Sequence, residues 1–465
     1  MPALLDAFRL RGESTAEKAV MLAVSTFVML TTTGSVYGWS PILLILQELG
    51  VYSELCTGDD TPQPGDGDIT TCEAQDLRLN LIYTAAVMSL GLTTLGWGIM
   101  VDWLGPRVIL PLSSVFFGAG CLLFAFSRPQ GFDAYAIGFV GIAAGGCGMF
   151  YGLVRLSELF GKRRVTVLGI YSVAFDASTV VFPLYGLVYK ATGFSLQSFF
   201  IAYSSISIIV LLCAVMWPLA LSTPQETIKE VEDEEGVLEA KQRSDEALPL
   251  LGLSGEGDIG VAQLHTVPMS ERPFKEQIAS LDYWVFVGYI AVSVLWLNMY
   301  IGTMPIQLER ITSDRATVDF YVEVFSWLLP AVFIVGPLIG WGVDKAGIVG
   351  SVVSVHVCAL AFSGLKIVPS LELQFATFVV LSVYRALFYT AMIALLIEMF
   401  GYGNFGKLWG FCIFFAGCMN YAQQPFLVIA YELGSFYYID LAQLASMLLL
   451  TFYPLFLYHR LPRLT

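Results

Sequence analysis

Twelve stretches of this chain are long and apolar enough to cross a bilayer as helices, and that restricts the fold more than any other feature. About 30 Å of hydrocarbon takes about 20 helical residues. Within it every backbone N–H and C=O must find a partner in its own structure, which leaves helices or closed barrels. The spans read as 19–46, 77–101, 108–127, 133–156, 165–189 and 196–221, then 280–303, 320–343, 350–369, 373–396, 407–431 and 436–459. A barrel would need alternating segments of about ten residues, and the sequence has none. Of the 465 residues 56% are hydrophobic and 13% charged, and the mean hydropathy is +0.71, which is that of an integral membrane protein. Short turns near 102–107 and 128–132 make their flanking spans antiparallel neighbours.

The net charge of −14 says little about partners, because much of the acid sits in two loops, 47–76 and 222–246. The basic residues orient the chain. With the N-terminus inside, sixteen lysines and arginines fall on the cytoplasmic side and six (Arg78, Arg128, Lys190, Arg310, Arg315 and Lys366) on the other. Both termini are therefore expected in the cytoplasm, with no cleavable leader, since the first apolar run is too long and lacks a small-residue cleavage site.

The spans divide into two sixes. Residues 1–221 hold the first, 279–465 the second, and the polar, acidic, glycine-rich segment 222–278 reads as a disordered cytoplasmic linker. The halves repeat. Gly98, Val101, Asp102 and Gly105 recur at an offset of 242 as Gly340, Val343, Asp344 and Gly347. Glu158-Leu-Phe-Gly161 recurs as Glu398-Met-Phe-Gly401, while Gly169 and Pro183 recur as Gly410 and Pro425. Gly38-x-x-Pro41 matches Gly302-x-x-Pro305 at 264 rather than 242, so 22 extra residues separate spans 1 and 2. This insertion carries Cys56 and Cys72. A disulfide between them is expected in a non-cytoplasmic, oxidising setting; the alternative is two free thiols in a loose loop. The other six cysteines lie in apolar spans and read as packing residues.

Two six-helix halves, a central loop and an acidic glycine motif after spans 2 and 8 resemble the major facilitator superfamily. The first motif departs from the general pattern, with Trp103 rather than a basic residue after the aspartate; Lys345 keeps the pattern in the second. Asp102-x-x-Gly105-Pro106-Arg107, the run Gly34, Tyr37, Gly38, Trp39 and the cysteine-bearing loop before LNLIYT (79–84) resemble a narrower group. These are the large-neutral-amino-acid facilitators of solute carrier family 43 and the related transporters of apicomplexan parasites. The resemblance implies an all-α fold of two pseudo-symmetric bundles that alternate access to a central cavity. It also implies a gate. Gly98 lets span 2 approach the other half, Asp102 faces the positive end of span 11, and Gly105 and Pro106 make the turn. Arg107 anchors at the headgroups, Asp344 repeats the arrangement against span 5, and Arg155, Glu158 and Glu398 supply partners. Ordinary topology-fixing charges are the plain alternative.

Charges at mid-membrane are costly and mark a pathway or a partnership. Arg385 in span 10 and Asp176 in span 5 qualify. In the resembled fold spans 1, 4, 7 and 10 line the cavity, where Arg385 would hold a carboxylate; otherwise it pairs with Asp176 or Glu323. Gly34, Gly38 and Pro41 in span 1, and Gly302 and Pro305 in span 7, invite breaks that free backbone groups for a substrate. Tyr37, Trp39, Phe150, Tyr151, Asn298, Tyr300 and Tyr389 flank these places and suit an apolar or aromatic substrate, or simple packing. Asn420, Gln423 and Gln424 form a polar cluster on span 11.

The chain has three histidines, no Cys-x-x-Cys, no Walker sequence and no nucleophile motif. Enzymatic, metal, cofactor and nucleic-acid roles therefore have no support. The expected activity is sodium-independent facilitated diffusion of large neutral or aromatic amino acids, for which a monomer suffices. Nucleobases, cationic amino acids and proton-coupled symport are the alternatives. The plasma membrane is the expected location, with Glu246-x-x-x-Leu250-Leu251 pointing to an endolysosomal or vacuolar alternative.

Overall fold

The structure is a computed structural model that describes residues 15–56, 72–216, 269–401 and 404–460. Its helices follow the expected order. In the first half α1 comprises Thr15–Thr32 and Trp39–Glu48, α2 is Glu73–Leu104, α3 is Pro106–Ala125 and α4 is Tyr135–Val154. Next come α5 (Arg164–Ala177 and Val181–Thr192) and α6 (Leu196–Ser204 and Ile206–Met216). In the second half α7 is Leu281–Ile311, and α8 and α9 form the run Arg315–Lys366, divided at Gly347. Then follow α10 (Leu371–Phe400), α11 (Phe405–Met419 and Gln423–Glu432) and α12 (Tyr437–Leu449 and Phe452–Arg460). Among the described residues ten helices are long and apolar enough to span a membrane, and the bent α1 makes an eleventh. The remaining expected span lies in the first part of the Arg315–Lys366 run.

Backbone chemistry explains the joints. Gly105 ends α2 at φ 70°, ψ 168°, a region that only glycine occupies without strain. Pro106 then opens α3, where its missing N–H costs nothing. Gly347 adopts nearly the same angles, φ 69° and ψ 171°. The repeat read in the sequence is thus a repeated turn.

The halves meet closely along α2 and α11, where a Cβ on Gly91 would lie 2.5 Å from the Gly417 Cα. Gly98 does not make this approach, contrary to expectation. A Cβ there would meet only the Tyr151 ring of α4, at 3.9 Å, in its own half. Glycines one helical face apart differ in what they face, and the repeat does not reveal which one touches the partner. Contacts between α5 and the α8–α9 run form a second seam.

Cys56 and Cys72 are joined by a disulfide, and the end of the bundle where they lie is called here the disulfide end. Beside it Tyr52 donates to Asp133 Oδ1 at 2.6 Å and Arg78 Nη2 meets Asp133 Oδ2 at 2.8 Å. Partial burial alone would raise the Asp133 carboxyl; the hydrogen bonds from Tyr52 and Arg78, with the arginine charge, outweigh it and hold the group below its ordinary value.

Part of the linker reading needs correction. Residues 217–268 lie outside the described residues, but Phe274–Ala279 is helical. The Gln277 amide donates to Met269 O at 2.8 Å and to Phe400 O at 2.9 Å, and Asn404 donates to Gln277 Oε1. One buried glutamine with three partners docks this segment onto α10, so the second half's folded body starts by Met269.

Candidate substrate site

Three helix breaks surround the middle of the bundle. In α1 the turn Ser35–Gly38 is 3-10 and the two pieces are bent by 43°. In α5 Ser178–Val180 is 3-10, as is Asn420–Ala422 in α11. The first two breaks pack together. Gly34 and Gly38 press against the Phe175 and Thr179 carbonyls, which leaves no room for a side chain. The amide of Gly34 donates to Ser178 Oγ at 2.7 Å, so this freed backbone group is already satisfied within the chain rather than offered to a substrate.

Span 7 does not break. Leu281–Ile311 runs as one helix through Pro305. Gly302 is instead covered by the Tyr83 ring, and its carbonyl accepts from Asn80 Nδ2 at 2.8 Å. Neighbouring side chains hold the helix where its own sequence invites a kink.

Around the first two breaks the structure gathers Tyr37, Asp176, Arg385 and Tyr389. Arg385 sits halfway along α10 and is 4% exposed. Its Nη2 lies 3.3 Å from Asp176 Oδ1 on α5, so this pair joins the two halves at mid-membrane. Glu323, the other partner considered, instead meets Lys190 at 3.6 Å. The guanidinium lies over the Tyr37 ring at 4.7 Å and over Tyr389 at 5.9 Å. Phe175 packs on Tyr37 at 6.4 Å and on Phe150 of α4 at 5.4 Å.

Two donors in this region are buried without a hydrogen-bond partner among the described residues, Trp39 Nε1 and Tyr83 Oη; Arg385 Nη2 is engaged by the Asp176 carboxylate. Trp39 stacks on Tyr83 at 6.1 Å. Buried donors carry a penalty until an acceptor reaches them, so the centre is chemically prepared for an acceptor-bearing guest. Tyr83 is a member that the sequence reading missed; LNLIYT carried it only as a family signature.

Other expected residues lie elsewhere. Tyr300 is inside the second half, donating to Gln374 Oε1 at 2.9 Å, with Phe325, Phe362 and the Lys366 ammonium against its ring. Its hydroxyl is committed there, so it does not join the Arg385 cluster. Asn298 donates to Asn420 Oδ1 at 3.2 Å, linking α7 to the α11 break, and Gln423 donates to the same oxygen at 3.0 Å. Gln424 bonds Asn80 and Thr84 across the seam. Tyr151 packs on Phe150 toward α2.

The gate residues are placed in part. The side chains of Asp102, Glu158 and Asp344 lie outside the described residues. Arg107 is half-buried in the first turn of α3, Arg155 ends α4 and is engaged within the chain, and Glu398 is exposed. The dileucine-type signal also lies outside the described residues.

The sequence reading also missed a polar seam at the disulfide end. Tyr431 donates to Asp76 Oδ2 at 2.5 Å, Gln47 donates to Asp76 Oδ1 at 3.2 Å, and Arg315 reaches Gln47, Leu44 and Glu309. Beside it a small cavity of about 50 Å³ lies between α1, α5 and α8, lined by Pro41, Leu44, Glu48, Lys190, Arg315, Asp319 and Glu323 among others. Arg385 is not part of its wall.

A bundle of paired six-helix halves, closed over a buried inter-half ion pair, defines a secondary transporter rather than an enzyme. The sequence matches the Major Facilitator Superfamily over residues 22–419, and the chain belongs to that family. Among similar proteins, Protein FMP42 of Saccharomyces cerevisiae is 26% identical over 85% of this chain and 85% of its own. Equilibrative nucleobase transporter 1 of Bos taurus is 24% identical over 90% and 91%. Large neutral amino acids transporter small subunit 3 of Homo sapiens is 23% identical over 92% and 90%.

Proposed function

We propose that the chain carries amino acids, large neutral or aromatic ones above all, by sodium-independent facilitated diffusion for which a monomer suffices, and that Arg385 and Asp176 receive the two charges of the zwitterion. The observation that carries this reading is the ion pair itself. It places a cation on one half and an anion on the other at the depth where a substrate must be held. An α-carboxylate fits the Arg385 fork, and an α-ammonium fits Asp176. Tyr37, Gly38 and Trp39 from the α1 break, with Tyr389, supply an apolar and aromatic surround for the side chain. Asn298 and Tyr151 line the approach, while Tyr300 ties α7 to α10 through Gln374.

A nucleobase is the second reading, favoured by the similarity to a nucleobase transporter and by the ring faces at the site. Labelled leucine uptake into proteoliposomes of the purified chain separates the two. Phenylalanine is expected to compete, with adenine and lysine competing weakly. Adenine displacing leucine, or adenine alone being transported, overturns the amino-acid reading. Uptake that accelerates as the external pH falls would replace the uniporter with a proton-coupled carrier.

Asp102, Gly105 and Arg107, with Arg155, Glu158, Asp344 and Glu398, form the gate at the end opposite the disulfide, while Gly98 packs within its own half. One observation supports this: the matching glycine turns after both aspartates. Asp102→Asn is expected to raise accessibility from that end, and unchanged accessibility and transport refute the role. The same reading puts both termini in the cytoplasm and the carrier in the plasma membrane, with endolysosomal membranes as the alternative. Immunofluorescence with and without permeabilisation tests both placements.

A further inference from the structure

Arg315 occupies the first position of α8, after the cap residue Asp314, whose carboxylate accepts from the Ala316 and Thr317 amides. Its guanidinium faces both halves. Within its own half, Nη1 meets Glu309 Oε1 at 3.4 Å and Nε meets Asp319 Oδ1 at 3.3 Å. Across the seam, Nη2 donates to the Leu44 carbonyl at 3.2 Å and Nη1 to Gln47 Oε1 at 3.4 Å. The two carboxylates fix the planar fork on the second half. The bonds to Leu44 and Gln47 must therefore break when the halves part at this end.

What those bonds hold is a hinged rod. Leu44 and Gln47 belong to the second piece of α1, Trp39–Glu48, about 15 Å long. The turn Ser35–Gly38 separates it from the first piece at a 43° bend. Ser40 lies on this rod between Arg315 and the central pair; it is 2% exposed and donates to the Ile301 carbonyl of α7 at 3.5 Å.

We propose that Arg315 is the latch of the disulfide-end gate, closing it by holding the hinged second piece of α1 against α7 and α8. The proposal rests on alternating access by this transporter and not on the identity of its substrate. It is tested without substrate, on the full chain purified in detergent, where a reagent reaches both ends whatever the orientation. The readout is the rate at which a soluble maleimide labels Ser40→Cys, corrected for the parent chain's own cysteines. Arg315→Gln is expected to raise that rate about tenfold or more, since two charge-assisted bonds are lost, and Arg315→Lys is expected to fall between. Ser113→Cys, buried inside the first half, reports general loosening and is expected to stay unlabelled. If Arg315→Gln does not fold, Gln47→Glu removes the amide that donates to Asp76 while keeping an acceptor for Arg315, and Gln47→Leu removes both bonds; only Gln47→Leu is expected to act in the same direction as Arg315→Gln. Where Arg315→Gln and Gln47→Leu both fold, the double variant is expected to label no faster than the faster single one, because both break one contact. An unchanged Ser40→Cys rate, or a rise matched at Ser113→Cys, overturns the proposal.

Discussion

Replacing Asp176 by asparagine removes the charge that faces Arg385 while keeping the shape of the side chain. At 3.3 Å and an effective dielectric of about 20, the direct attraction is about 5 kcal/mol. The Asp176 side chain is 27% exposed, so solvent screens part of this. Breaking a buried pair by removing one partner costs about 3–5 kcal/mol, and about 3 is the better figure here. A zwitterion that enters the wild-type site exchanges one ion pair for two. A carboxylate without an amino group takes Arg385 and leaves Asp176 without its cation. Wild-type protein is therefore expected to bind leucine well ahead of isocaproate, which is leucine without its amino group. In Asp176→Asn the ammonium loses its anion while Arg385 is free from the outset, so the preference is expected to shrink by about 2–3 kcal/mol, or about 30- to 150-fold. Calorimetric titration of both ligands into both purified proteins measures it, with thermal shift as a second reading. An unchanged ratio, or equal weakening of both ligands, would show that Asp176 braces the bundle and does not meet the substrate.

Gly105→Ala and Gly347→Ala force a Cβ into φ near 70° with extended ψ. Each is expected to cost about 1–3 kcal/mol, seen as similar drops in thermal midpoint, and an unaltered midpoint for either refutes the repeated turn. Asp440→Asn leaves the Lys366 ammonium, 3% exposed and now 2.8 Å from Asp440, without its anion. A loss of about 3–5 kcal/mol is expected, largely restored by adding Lys366→Met; denaturation of both variants decides it. Asp133 is held below its ordinary value, so its contribution is complete above about pH 4 and fades as pH falls through the lowered folded value. The stability gap between wild type and Asp133→Asn should hold from pH 7 to about 5 and close below about 4, and a gap that widens in acid contradicts the sign.

The architecture was legible because lipid permits few answers. Span lengths, the turn at Gly105–Pro106 and the cysteine pair each follow from a local rule. Arg385 and Asp176 stood out singly, since a charge at mid-membrane demands a reason, yet only the folded chain selects Asp176 over Glu323. Arg315, Asp76 and Lys366 escaped notice because, at the ends of spans, they look like anchors that snorkel to the surface. The Gly-x-x-Pro motifs failed in another way. Both halves carry one, but α1 breaks where Gly34 and Gly38 meet α5 carbonyls, while α7 stays whole under Tyr83 and Asn80. A kink depends on what presses on the helix as much as on the helix itself.

The two ends of the bundle close by different logic. Opposite the disulfide, the turns at Gly105 and Gly347 are copies, so each half presents the same device to the other. At the disulfide end the copies diverge. The first half spends residues 49–72 between α1 and α2 and ties that insertion down with Cys56–Cys72. The second joins α7 to α8 through residues 312–314. The short joint holds Arg315 at the seam against α1, whereas Tyr52 of the long one is engaged within the first half, by Asp133. Damage to one glycine turn leaves its copy in place, but the sequence supplies no copy of Arg315. Single substitutions should therefore bias the carrier more strongly at the disulfide end, and comparing Arg315→Gln with Gly105→Ala for accessibility from each end measures that asymmetry directly.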